Sequence, residues 1–286
     1  MDYISFVILH YKDIKVTDTC VQSILAMEQQ ERIRIVIVDN DIQKSEKDRK
    51  ELSLKYQENS QIKILQIKEN GGFSYANNQG YQYAKEHFGN GYIIVLNNDI
   101  EFTQKNFVSI LEESYHSHPC HIIGPDVIRQ GTGEHQNPMD TRLRTKEEAC
   151  YTIKMHRLAL RFYPLYYMLQ KAEKSKLKNK EKQAALSHQL QTDVIPFGAC
   201  LIFTPLFAEK EEKAFDPETQ FFYEEYILAL RCRRKNYKIV YDPSMTVYHE
   251  SGAATKKSYS TEKKRIRFML EKTAAACEVY LEMLGE

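Results

Sequence analysis

The first 130 residues carry a rhythm that leaves few folds open. Short apolar runs alternate with stretches whose apolar residues recur at helical spacing. The runs are Ile4–Leu9, Ile33–Val38 (IRIVIV), Ile62–Ile67 and Tyr92–Leu96 (YIIVL). Asp18–Met27, Lys44–Tyr56 and Ser74–Glu86 lie between them, and Gln104–Ser117 follows the fourth. Strands that are apolar on both faces, separated by helices, predict βαβ units and a mostly parallel sheet with helices on each side. Further on, Val194–Thr204 reads as a strand around Gly198 and Phe221–Arg234 as a helix. Lys238–Tyr241 and Met245–Tyr248 read as two short strands, and Glu262–Leu284 as a long C-terminal helix.

Composition removes several function classes. Lys and Arg number 40 against 39 Asp and Glu, a net charge of +1, where a dedicated nucleic-acid binder shows a basic excess. Hydrophobic residues are 42% and charged residues 28%, which fits a packed soluble protein and not a disordered chain. No window approaches the ~20 apolar residues of a membrane span. The start, MDYISFVILHYKD, has an acid at position 2 and too short an apolar run for a secretory leader, so a cytoplasmic location is expected. The six cysteines are widely spaced without a CxxC pair, which reads as small buried hydrophobes.

The middle of the chain differs. Between Arg142 and Gln191 there are 12 basic and 4 acidic residues, and the same segment holds the aromatic run Leu158–Leu169 (LALRFYPLYYML). It is readable as a solvated helical hairpin, or as a basic, amphipathic face for an anionic membrane surface.

In open parallel sheets ligands gather beyond the carboxyl ends of the strands. The four strands here are followed by His10-Tyr11, by Asp39-Asn40-Asp41, by Asn70-Gly71-Gly72-Phe73 and by Asn97-Asn98-Asp99. Polar, acidic and glycine residues thus collect at one edge. Gly71-Gly72 suits close approach of backbone to ligand, with a helix N-terminus beyond it. It is not GxGxxG, and no GxxxxGK[ST] occurs, which argues against dinucleotide redox chemistry and P-loop hydrolysis. Asp99 flanked by carboxamides suits Mg²⁺ or Mn²⁺, which need only one or two protein carboxylates when phosphate oxygens complete the shell. Downstream, Glu224 and Glu225 enter an apolar helix. Either could cap its N-terminus, or act as a general base if burial raises its pKa. His249 ends a strand, where an imidazole can complete a metal site or contact a diphosphate.

These residues resemble the inverting family 2 glycosyltransferases of the GT-A fold, in particular the bacterial rhamnosyltransferase-like branch. The resemblance runs over about residues 3–255. ISFVILHY resembles the opening nucleotide-binding strand, and IVIVDND the strand whose aspartate contacts the base. ENGGFSYANNQGY resembles the segment that runs from Asn-x-Gly-Phe to a later Asn-x-Gly, the most specific match. VLNNDIEF resembles the metal-binding DxD position in its N-x-D form. FGACLIFTP resembles the acceptor-side strand. The block from Phe215 to Thr255 resembles the closing segment, with its Glu-Asp pair and terminal His. Two positions depart from the family: the pair is Glu224-Glu225, and Ile227 stands where the family has an Asp.

The resemblance implies one GT-A domain over 1–286. Its parts are a nucleotide-sugar-binding half (1–130), a helical basic insertion (131–193), an acceptor and catalytic half (194–260) and a C-terminal helix (261–286). It implies transfer of a sugar from a nucleoside-diphosphate sugar, dTDP-rhamnose or a UDP-sugar, to a hydroxyl of a glycan or lipid-linked acceptor in bacterial surface polysaccharide synthesis. Glu225 would be the base and Glu224 its neighbour in support. Asp99 and His249 would hold the metal. His10, Tyr11 and Asp39 would read base and ribose; Asn70, Gly72, Phe73, Asn78, Asn97 and Asn98 would shape the nucleotide wall. The basic insertion would touch an anionic membrane at its cytoplasmic face. The competing reading, a nucleotidyltransferase, wants a Gly-rich loop with a basic residue after the first strand, whereas this chain has HYKD. A nucleotide-sugar-binding protein with altered or lost activity rests on Ile227.

Overall fold

Each of the four apolar runs becomes a strand. The computed structural model describes residues 3–41, 45–69, 71–173, 188–250 and 261–285. Its N-terminal half runs β1 (Ile4–His10), α1 (Ile14–Leu25), β2 (Ile33–Asp39), α2 (Glu46–Tyr56), β3 (Ile62–Gln66), α3 (Gly72–Phe88) and β4 (Tyr92–Asn97). The strands lie in the order β3-β2-β1-β4 and all pair in parallel, with Ile4 of β1 beside Ile33 of β2 and Tyr92 of β4. Alternation along β1 splits the core in two. Ile4, Phe6 and Ile8 face α1, α2 and the later helix Phe107–Ser117, while Val7 faces α3. Asp13 caps α1, its carboxylate accepting from the amides of Lys15 and Val16, so this helix begins four residues before the apolar spacing suggested.

The second half is less regular. It runs β5 (Ile100–Phe102), α4 (Phe107–Ser117), β6 (Ile122–Arg129), α5 (Lys146–Arg161), α6 (Tyr163–Glu173), β7 (Gln191–Thr192), β8 (Cys200–Phe203), α7 (Pro205–Ala208), α8 (Glu224–Arg234), β9 (Ile239–His249) and α9 (Glu262–Gly285). The sheet continues β4-β8-β6-β9-β5, with β7 beside β9. β8 is antiparallel to β4 and β6, whereas β6 and β9 are parallel. The whole is a mixed α/β sheet with helices on both faces, as the periodicity predicts.

Three elements differ from the sequence reading, each for a local reason. β6 (IIGPDVIR) has Gly-Pro at its centre, a pair that reads as a turn. The register shifts between Pro125 and Asp126, where the missing proline N–H is tolerated as a bulge. The same bulge merges the two expected short strands 238–241 and 245–248 into β9, since Pro125 pairs with Asp242 and Asp126 with Thr246. The expected strand Val194–Thr204 shortens to β8, because Pro196 and Gly198 hold residues 194–199 as a loop. Of the cysteines, Cys150 is exposed and the other five are buried.

Candidate active site

The carboxyl ends of the parallel strands meet at one edge. His10 and Asp39 end β1 and β2 side by side, and both are buried. The Thr17 hydroxyl of α1 ties two strand ends together, lying 2.6 Å from His10 Nδ1 and accepting from Asn98 Nδ2 at 2.9 Å. Asp39 Oδ1 accepts from the Asp41 amide at 3.3 Å. Tyr11 is half-buried beyond β1, with the Lys12 ammonium 5.1 Å from its ring centre. Asn70 lies outside the described residues.

Gly72 opens α3 with φ +87°, and an added Cβ would sit 2.4 Å from the Gln220 carbonyl oxygen. Only glycine fits this approach. It lets the next amide, that of Phe73, donate to Gln220 O at 2.6 Å, while the Phe73 ring packs edge-on against Phe215 at 5.4 Å. Asn78, one turn on, exchanges two 2.9 Å hydrogen bonds with the Phe215 backbone. These contacts join the glycine-rich segment to the loop leading into α8.

Asp99 and His249, 150 positions apart in the chain, come together. β5 pairs antiparallel with β9 so that Ile100 lies opposite His249, and Asp99 Oδ1 stands 3.2 Å from His249 Nε2. Both side chains are buried. His249 Nδ1 donates to Gln136 Oε1 at 2.7 Å, which fixes the ring and turns Nε2 toward Asp99. Asp99 Oδ1 has no hydrogen-bond partner among the described residues. A buried carboxylate oxygen facing an imidazole nitrogen needs a cation or a proton between them, and this donor set suits a divalent ion. Among the described residues no three His, Cys, Asp or Glu side chains gather as a metal site, so diphosphate oxygens would have to complete the shell.

Three consecutive residues join this pair to the acids. The Phe197 ring lies 5.9 Å from that of His249. The Gly198 amide donates to Glu225 Oε1 at 3.2 Å. The Ala199 carbonyl accepts from the Asn97 amide at 3.0 Å. Asn137, next to Gln136, holds the segment by accepting from the Phe197 amide at 3.1 Å. At Gly198 a Cβ would come within 2.6 Å of Glu225 Oε1, so any side chain there would displace the carboxylate.

The acids themselves sit after a strained turn. Phe222 and Tyr223 both adopt left-handed backbone, φ 68° and 59°, costing about 1–3 kcal/mol each. This is why α8 starts at Glu224 and not at Phe221. The turn is held from outside. Arg144 donates to the Tyr223 hydroxyl at 2.9 Å and lies over the Tyr226 ring. Tyr280 of α9 donates to the Arg144 carbonyl at 2.8 Å and packs 5.7 Å from Tyr223. Burial pushes both carboxyls above the ordinary glutamate range. Desolvation raises each, Glu225's charge adds to the rise at Glu224, and backbone amides, including that of Gly198 at Glu225, oppose it. Glu224 Oε2 is closed off with no hydrogen-bond partner among the described residues. Ile227 is fully buried in the apolar core.

Sequence reasoning missed Thr17, Gln136, Asn137, Arg144 and Tyr280. Each acts on a partner far away in the chain, and no local pattern marks it.

This constellation belongs to a sugar-transferase architecture. The chain is a member of glycosyl transferase family 2, whose model matches residues 5–190; the match stops short of Glu224, Glu225 and His249. Solved structures extend the likeness. GalNAc-T7 with UDP, GalNAc and Mn²⁺ superposes with TM-score 0.56 at 15% identity, covering 86% of this chain and 43% of that one. S. aureus TarS 1-349 in complex with UDP-GlcNAc gives 0.56 at 12% identity over 93% of this chain and 64% of that one. TarS 1-349 alone gives 0.52 at 11% over 94% and 69%. At these identities the likeness is one of fold, the GT-A fold, and the chain spans under half of the GalNAc-T7 structure. Among curated proteins none matches the chain by sequence.

Proposed function

We propose that the chain transfers a sugar from a nucleoside-diphosphate sugar to an acceptor hydroxyl with inversion, using Glu225 as the base. The observation that carries this reading is the Phe197–Ala199 segment, which touches His249, Glu225 and Asn97 in succession. It links a raised carboxyl to a cation-ready pair through three consecutive residues. Glu225 takes the proton of the acceptor hydroxyl as that oxygen bonds to the anomeric carbon. The bond from that carbon to the diphosphate breaks on the opposite face, releasing the nucleoside diphosphate. Holding donor and acceptor in line supplies much of the rate. A Mg²⁺ or Mn²⁺ ion held by Asp99 and His249 would neutralise charge on the leaving diphosphate. Glu224, raised by burial beside Glu225, would support its position.

His10, Tyr11 and Asp39 would meet base and ribose. Gly72, Phe73, Asn78, Asn97 and Asn98, with Asn70, would form the nucleotide wall. The neighbours solved with UDP or UDP-GlcNAc favour a uridine donor; dTDP-rhamnose, as in the rhamnosyltransferase-like branch, is the other donor the motifs admit. A glycan or lipid-linked acceptor in bacterial surface polysaccharide synthesis, on the cytoplasmic side, completes the proposal, with residues 1–286 acting as one domain. No described helix is long and apolar enough to cross a membrane. The test is turnover of a panel of nucleotide sugars with Mn²⁺. Release of nucleoside diphosphate from one donor, lost in Glu225→Gln, is expected. Turnover unchanged in Glu225→Gln would overturn the mechanism.

A further inference from the structure

α5 is apolar on two opposite sides. At ~100° per residue, Ala149, Ile153 and Leu160 share one side, and these are the residues packed inward. Tyr151, Met155, Leu158 and Phe162 share the other, and all four are exposed. α6 continues that outer side with Leu165, Met168 and Leu169, which are 57%, 69% and 61% exposed. Seven of the ten exposed large apolar side chains among the described residues lie on these two helices or at Phe162 between them. A patch of this kind marks an interaction surface.

Its charges have one dominant sign. Lys154, Arg157 and Arg161 run along one flank of the α5 stripe. Tyr163 anchors α6 to the start of α9, its hydroxyl donating to the Lys263 carbonyl and its ring packing with Ile266 and Leu270. This brings the exposed Lys263, Lys264 and Arg267 beside α6. The acids nearby are held by these same cations, Glu278 by Arg157 at 2.7 Å and Glu271 by Arg267 at 2.9 Å. Aliphatic and aromatic side chains bordered by an excess of Lys and Arg are the pattern of an interfacial helix on anionic lipid. A two-fold contact with a second copy would set this patch against itself and bring like charges together.

We infer that the outer face of α5 and α6, with the first turns of α9, docks on an anionic lipid bilayer. The inference goes beyond the transfer reaction and stands or falls separately from it. Leu158, Phe162, Leu165, Met168 and Leu169 enter the interface, and the cations meet headgroup phosphates.

The experiment is co-sedimentation of the full chain with vesicles. One set is phosphatidylcholine alone; the other is equal parts phosphatidylglycerol and phosphatidylcholine. Binding to the anionic set only is expected, weakened by about 0.5 M salt as screening shortens the reach of charge. Phe162→Ser with Leu165→Ser should lower partitioning about tenfold or more, at about 0.8 kcal/mol per CH₂ withdrawn. Arg161→Glu should lower it severalfold, each surface cation being worth about fivefold. Leu54→Ser, at an exposed leucine on α2, should change nothing. Circular dichroism and thermal melting confirm that the variants fold. Equal sedimentation with both vesicle sets, or no response to the Phe162 and Leu165 changes, would overturn the inference. So would a doubled mass in sedimentation equilibrium that Phe162→Ser abolishes, which would make this face a contact between copies.

Discussion

The two halves of the sheet place functional groups by different means. In β1 to β4 the side chains are set by the strands themselves. Parallel pairing puts His10 beside Asp39, and the end of β4 delivers Asn97, Asn98 and Asp99. In the second half hydrogen bonds from loop residues orient the groups, one on a helix and one at the end of β9. Glu225 follows two left-handed residues and is caught by the Gly198 amide; His249 is turned by Gln136. A strand end is a rigid, local device that binds. A braced loop holds a charged group in a costly state, which proton transfer requires. On this view the first half governs donor binding and the second governs the chemical step.

The sharpest way to break that division is Glu225→Gln. Transfer should fall by about 10²- to 10⁴-fold, while calorimetric affinity for the nucleoside diphosphate stays unchanged. A variant that loses affinity as well would place this acid in the binding half. If Glu224→Gln is the dead enzyme and Glu225→Gln is active, the base sits one residue earlier. In the active parent, kcat should rise with pH through a limb above the ordinary glutamate value of 4.5, because burial raises Glu225.

Asp99→Ala tests the other side. Divalent-dependent affinity for a nucleoside diphosphate should drop by about 10²-fold, with the melting temperature unchanged. Equal calorimetric affinity with and without Mn²⁺ in the parent chain would remove Asp99 and His249 from a metal role. A smaller effect is expected at Gln136, which touches no ligand. Gln136→Leu frees the His249 ring and should weaken Mn²⁺-dependent binding by about 10- to 100-fold; Gln136→Glu, which keeps an acceptor for Nδ1, should restore part of it.

The smallest effect concerns stability. Burial raises both Glu224 and Glu225, so the native chain holds their protons more tightly than the unfolded chain. The stability this gives is present below the ordinary glutamate range and is lost as pH rises through the raised native values. Glu224→Gln should therefore stabilise the protein at neutral pH by about 0.5–2 kcal/mol, read by urea unfolding. That gain should vanish in acid. A gain that persists unchanged at low pH would assign it to packing.

How far the sequence could be read follows the same divide. Asp39 and Asp99 were visible because a run of apolar residues announces where a strand stops. His249 was visible for that reason too, although its strand was read in two pieces across the bulge. Glu224 and Glu225 stand out as acids in an apolar helix, but periodicity starts that helix at Phe221 because left-handed backbone at Phe222 and Tyr223 has no signature in large aromatic residues. β6 hid behind Gly124-Pro125. Gln136 was invisible because its partner lies 113 residues away, a distance that periodicity and local motifs do not span. Asn78 was marked by its motif, while its partner, the Phe215 backbone 137 residues away, was not.

Helix α9 is 24 residues long, about 36 Å at 1.5 Å per residue. It reaches from the Tyr163 anchor on α6 to Tyr280 beneath the turn at Tyr223. The helix thus ties the outer face of α6 to the turn that seats Glu225. A chain cut ahead of Tyr280 should keep slow amide exchange at Val7 and Val36 while α8 exchanges fast. Equal protection in both places would mean that the acids hold their position unaided.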